Sequence, residues 1–188
     1  MGGLRAGLLV VMAGVWLALP ASARGELRLT DLAVYLNDHD FTVHVVAVGA
    51  VPPTFDEPIQ SGIPAHLRFT IELWQLNRGW RDRLLTTRVI ERHLTYNVVS
   101  KEFRVASLKG ETRPVYTTRG LRDAQRVISE VRAAKLSPAG DFDPNTVIYV
   151  RVRAETALNG ENTFVARMAG TAEQAILQSD YRTIRRVQ

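Results

Sequence analysis

His66-Leu67-Arg68-Phe69-Thr70-Ile71-Glu72-Leu73 is the stretch that decides the fold class. Leu67, Phe69, Ile71 and Leu73 fall on one side of an extended chain. His66, Arg68, Thr70 and Glu72 fall on the other. This period of two is the signature of a strand with one face in a core and one in water. Trp74 and Leu76 break the register, and Asn77-Arg78-Gly79-Trp80 reads as a turn.

The same period recurs on both sides. Upstream, Leu27 to Leu36 shifts its apolar set near Thr30-Asp31, which predicts a bulge. Asn37-Asp38-His39-Asp40 is a polar turn, and Phe41 to Val48 completes a hairpin. After Gly49 to Pro53, Thr54 to Glu57 has the form of a capping box, and Pro58 limits the helix that follows to one short turn. Downstream, Arg83 to Val99 is one strand or two, with Ile90, Leu94, Tyr96 and Val98 in phase. Glu102 to Val105 is the next strand. Lys109-Gly110-Glu111 is read as a hairpin tip, with Arg113 to Thr117 returning.

One segment carries a helical period. Leu121, Ala124, Val127, Ile128, Val131 and Ala134 make one apolar stripe, with Arg119, Arg122, Arg126, Glu130 and Arg132 around it. Thr117 or Thr118 caps it and Pro138-Ala139-Gly140 ends it. Thr146 to Glu155 alternates again, with Ile148, Val150, Val152 and Ala154 inward and Tyr149, Arg151, Arg153 and Glu155 outward. Asn159 to Asn162 is a turn, Thr163 to Met168 a last strand, and Thr171 to Gln174 the cap of a short terminal helix. About seven antiparallel strands with one amphipathic helix predict a mainly β fold. The expected form is an antiparallel β-sandwich, Ig-like or similar, with the helix packed on it. The alternative is an α+β antiparallel sheet with the helix across one face.

The N-terminus reads as a secretory leader. Arg5 precedes an uncharged apolar run from Ala6 to Leu19, and Ala21-Ser22-Ala23 is a small-x-small cleavage pattern. The run is shorter than the roughly 20 residues that span a bilayer. Residues 1–23 are therefore expected to be removed, leaving residues 24–188 as one soluble, β-rich domain. Loss of Arg5 lowers the formal charge from +5 to +4, and the excess is nearly all arginine. The 188 residues include no Cys, so neither a lipidated cysteine nor a disulfide is available. These features place the expected site of action in a bacterial periplasm, which makes nucleic acid an improbable partner.

Ser61-Gly62-Ile63-Pro64, the long strand to Leu76, Trp80, His93-Leu94-Thr95-Tyr96-Asn97 and Phe103-Arg104-Val105 occur here in an order and spacing that resemble the DUF4390 family of exported bacterial proteins. The resemblance covers residues 27–155 and includes the helix with Leu121 and Val131. It stops short of the C-terminal segment, where Ile176, Leu177 and Tyr181 stand in place of the family's tryptophans. The resemblance implies an envelope location and no assigned activity. Such proteins are often encoded beside a membrane histidine kinase of the nitrogen-regulation type, which implies a signalling-accessory role by association.

Residue chemistry gives catalysis little support. No serine lies in a nucleophile elbow or a Ser-x-x-Lys arrangement, and no glycine loop is built to cradle phosphate. Ser61-Gly62 reads as backbone geometry, with glycine taking a positive φ and Pro64 holding Ile63 extended. Asp38-His39-Asp40 offers metal-ligand types, yet three adjacent turn residues converge poorly on one ion. His44, His66 and His93 sit at outward strand positions. Glu72 and Glu91, on neighbouring strands, are a candidate carboxylate pair of the glycosidase kind. Arg68 and Arg92 are placed to neutralise them. No metal, no cofactor and no catalytic residue is assigned.

The strongest non-core feature is Trp74, Arg78, Trp80, Arg81 and Arg83, where aromatic rings and guanidiniums gather around a turn. That combination suits recognition of another molecule. Closure of the sandwich end by the two tryptophans is the competing explanation. The tail residues Arg182, Arg185 and Arg186 read as a solvated basic end. The expected role is a non-catalytic protein-interaction or signalling-accessory module contacting an envelope or inner-membrane protein. The alternatives are a carrier or sensor of a small apolar or lipidic ligand, and, third, an enzyme acting on envelope glycans.

Overall fold

The computed structural model describes residues 26–37, 39–142, 146–160 and 164–183. They form ten strands: β1 (Arg28–Asn37), β2 (Asp40–Val48), β3 (Ala65–Gln75), β4 (Arg83–Asn97), β5 (Glu102–Lys109), β6 (Tyr116–Thr118), β7 (Glu130–Pro138), β8 (Val147–Leu158), β9 (Ala172–Gln178) and β10 (Arg182–Thr183). Three short helices join them: α1 (Asp56–Gln60), α2 (Leu121–Ser129) and α3 (Phe164–Met168). The leader, Asp38, Asn145, Glu161, Asn162, Thr163, Arg185 and Arg186 lie outside the described residues.

Two antiparallel sheets face each other. The smaller has the order β1-β2-β7; the larger runs β10-β8-β3-β4-β5-β6, with β9 also paired to β8. Leu67, Phe69, Ile71 and Leu73 are at most 1% exposed, so the central strand reads as its alternation requires. Ile90 and Leu94 from β4, Val150 and Val152 from β8, and Val43 and Val45 from β2 complete the layer between the sheets. Each such side chain contributes about 1.5–3 kcal/mol by leaving water. The helix α2 lies against β4, β5 and β6 of the larger sheet and touches β2 of the smaller one. Ala124 and Ile128 point into the core there. The fold is thus a sandwich-like α+β arrangement, mostly strand.

The bulge expected near Thr30-Asp31 is present: the β1–β2 register shifts between Thr30 and Ala33, and Asp31 has φ 53°. Helix α1 is one short turn, as Pro58 requires, but Thr54 makes no capping bond. A 3₁₀ turn at Pro53–Phe55 precedes it, and Phe55 takes the N-cap position. Gly62 has φ +94°, the conformation that glycine supplies.

The apolar stripe from Leu121 to Ala134 is not one helix. The helix ends at Ser129, and Val131 and Ala134 belong to β7. Ala133 at φ 47° puts an extra residue between them, so both point inward despite a spacing of three. Gly120, rather than a threonine, occupies the helix N-cap; Thr118 Oγ1 accepts a bond from the Gly120 N–H. Pro138-Ala139-Gly140 accordingly closes a strand. Two C-terminal expectations also reverse. Phe164–Met168 is helical, and Ala172–Gln178 is an edge strand on β8, with Ala175 and Leu177 turned to the core.

Candidate functional site

The turn between β3 and β4 is held from several sides. The Leu76 N–H donates to the Val147 carbonyl, and Trp80 N–H closes the turn on Asn77 O at 3.3 Å. Asp82 accepts from the Asn77 N–H at 3.2 Å and from the Tyr149 hydroxyl at 2.9 Å. The Asn77 side-chain amide donates to Arg81 O. On this anchored frame Trp80 stands 83% exposed, and Arg78, Arg81 and Arg83 are exposed around it. Trp80 therefore closes no end of the sandwich. A free indole of this size on a fixed backbone costs little to order when a partner covers it.

Trp74 is set apart from that group. It sits on the outer face of the larger sheet, half-buried, with its ring parallel to Tyr149 within 8° at a centroid distance of 6.3 Å. Its indole N–H donates to Glu72, and the Arg151 guanidinium lies 5.0 Å from its ring centroid. Tyr181 meets Tyr149 edge-on. This packing buries Tyr149 to 3% exposure, although strand alternation points it outward. Burial, the Asp82 hydrogen bond and the Asp82 charge push the Tyr149 hydroxyl up to about 12. Trp74 and Tyr149 thus brace the turn that presents Trp80.

Glu72 and Glu91 do not form a pair. In the β3–β4 register Glu72 lies opposite Thr87, and Glu91 opposite Arg68. Four residues of strand separate the two positions, about 13 Å. Glu91 is bonded to Arg68 at 2.7 Å, while Glu72 accepts from Trp74 and faces Arg153. His66 and His93 do sit opposite each other, with ring centroids 6.1 Å apart. Burial first, then the neighbouring cation (His93 for His66, Arg104 for His93), lowers both imidazoles. Asp40 pairs with Lys135, and the His39 carbonyl accepts from Ala139. Among the described residues no three His, Asp or Glu side chains gather as metal ligands.

Arg92 is the residue that sequence reasoning misplaced. It lies on the inner face, 1% exposed, and does not reach Glu72 or Glu91. Its guanidinium is bidentate to Glu111 at 2.6 and 2.8 Å. It also donates to the carbonyls of Val127, Ile128 and Glu130, which terminate α2 and open β7. Residues Glu111 to Val115 therefore bend toward α2 rather than returning as a strand, and β6 begins at Tyr116. The signal was its place in phase between Ile90 and Leu94.

The family described as a domain of unknown function (DUF4390) matches residues 24–161, more than half of the chain. No curated protein and no solved structure matches.

Proposed function

The chain belongs to the DUF4390 family, and from that premise we propose that it is a non-catalytic protein-interaction module of the cell envelope. In this reading residues 1–23 direct export and are removed, and the mature chain works in the periplasm as a soluble accessory to an envelope or inner-membrane protein, of the signalling kind. Trp80, with Arg78, Arg81 and Arg83, makes the contact. The observation that carries the reading is an indole 83% exposed on a turn fixed by Asp82, Tyr149 and Asn77. Trp and Arg are the side chains most enriched where interface energy concentrates.

The competing readings gain less support. A ligand held between the sheets would have to displace Phe55, Ile59, Phe69 and Ile128, all at most 1% exposed. Glycan hydrolysis would need Glu72 and Glu91 together, and each is bonded elsewhere.

The test is affinity capture from detergent-solubilised envelope membranes, using the exported chain and its Arg78→Ala/Trp80→Ala variant. One dominant membrane protein should be retained and should be lost with the variant, whose thermal unfolding stays unchanged. Equal retention by both chains overturns the assignment of the surface. No specific retention, together with co-purified small-molecule mass by native mass spectrometry, favours the carrier reading instead.

A further inference from the structure

A second surface shares no residue with the Trp80 turn. An open groove of about 560 Å³ runs between the segment Arg113–Tyr116 and the α2–β7 junction, where Arg126, Val127, Glu130 and Arg132 form the other wall. Its charge is unbalanced at depth. Arg88, Arg92 and Arg113 all act on the single carboxylate of Glu111. Arg92 takes both Glu111 oxygens, so Arg113, half-buried on the groove wall, donates to a neutral carbonyl, Val127 O at 3.2 Å, and shares the charges of Glu111 and Glu130 with Arg92 and Arg132. Arg126 and Arg132 are each 69% exposed and paired with Asp123 and Glu130 on the surface. The Arg126–Asp123 pair is of the exposed, single-bond kind that is weak and exchanges readily with a partner's charges, whereas Arg132 holds Glu130, 20% exposed, in a bidentate pair.

The other wall is backbone. β6 ends the larger sheet with three residues, and residues 111–115 pair with no strand among those described. Val115 is 50% exposed beside Tyr116. The guanidiniums stand on three elements along the groove, on the 111–115 segment, on α2 and on β7. An extended chain presents same-face side chains about 6.6 Å apart and can lay its own backbone along a sheet edge. We propose that this groove receives an extended acidic peptide segment of a partner, which adds beside Arg113–Tyr116 and sets its carboxylates against Arg113, Arg126 and Arg132.

The probe is a fluorescein-labelled decapeptide of alternating Thr and Glu, titrated against the exported chain by fluorescence anisotropy in low salt, with an alternating Thr and Lys decapeptide as control. The Thr-Glu peptide should bind, the Thr-Lys peptide should not, and Arg126→Glu/Arg132→Glu should weaken binding at least about tenfold. Both side chains are exposed, so circular dichroism should show an unchanged fold. Val115→Asp should weaken binding as well. The proposal is overturned if the charge reversal leaves affinity unchanged or if the Thr-Glu peptide does not bind. Displacement of the peptide by millimolar inorganic phosphate, or preferential binding to phosphatidylglycerol vesicles, also overturns it in favour of an anion or membrane site. Trp80→Ala should leave this titration unaltered, which separates its outcome from that of the turn surface.

Discussion

Replacing Glu111 by Gln removes one charge from an otherwise buried ion pair and nearly nothing else. Arg92 is 1% exposed and Glu111 19%, and their bidentate bonds measure 2.6 and 2.8 Å. Removing one partner of a buried pair leaves the other charge uncompensated, at a cost of about 3–5 kcal/mol. Partial exposure of Glu111 and the three remaining carbonyl bonds of Arg92 place the expected loss at the lower end, about 3 kcal/mol. In a urea titration with a slope of about 2 kcal/mol/M this moves the midpoint by about 1.5 M. The loss should also depend on pH. Burial raises the Glu111 carboxyl, but the Arg92 hydrogen bond and the charges of Arg92, Arg113 and Arg88 outweigh it and hold the group below its ordinary 4.5. A carboxyl depressed in the folded state stabilises the protein above its unfolded pKa and loses that contribution as pH falls through the folded value. The gap between wild type and Glu111→Gln should therefore be full at neutral pH and close in acid. A gap below about 1 kcal/mol at pH 7, or one that persists undiminished into acid, refutes the reasoning.

Three further outcomes follow from the geometry. Gly110→Ala should destabilise by about 3 kcal/mol or more in the same titration, because a Cβ there would lie 1.9 Å from the Val89 carbonyl oxygen at a φ of +84°. Thr156→Val should cost about 1–2 kcal/mol, since the buried hydroxyl donates to Ala50 O at 2.6 Å and lies 3.1 Å from His66 O. Tyr149→Phe should remove the Asp82 bond, lower stability by about 1 kcal/mol, and increase the mobility of Trp80 seen by time-resolved anisotropy. It should also remove the Tyr149 transition near pH 12 from an ultraviolet titration; stability attached to that hydroxyl is present below pH 10 and lost as pH rises toward 12.

The strands that cross the middle of the molecule were readable from sequence because a single force shapes them. Leu67 to Leu73 and Ile148 to Ala154 have one buried face, and alternation reports it directly. Where two influences compete, the period misleads. Ala133 at φ 47° inserts a residue into β7, so Val131 and Ala134 imitate a helical step while lying in a strand. Tyr149 obeys alternation in direction but is covered by Trp74 and Tyr181, contacts that depend on strand register and on the return of the chain at residue 181. Ala172 to Gln178 becomes a strand because β8 has an edge to offer, which no local pattern announces. Of the turn residues named from the sequence, Arg78, Trp80, Arg81 and Arg83 are exposed around one turn, while the Trp74 side chain leaves on the sheet face. Arg92 was set against Glu72 and Glu91 although its phase with Ile90 and Leu94 marks an inward position, and its partner Glu111 lies 19 residues away, beyond the β4–β5 hairpin.

The central claim concerns where the protein makes contact. The most direct measurement places a photo-crosslinking amino acid at Arg81 in the living cell, with a second copy of the experiment at Val99, which is 94% exposed on the β4–β5 turn at the other end of β4. The account predicts one dominant adduct with an envelope protein from position 81, abolished by Trp80→Ala, and none of that adduct from position 99. The same adducts from both positions, or none from position 81, would contradict it.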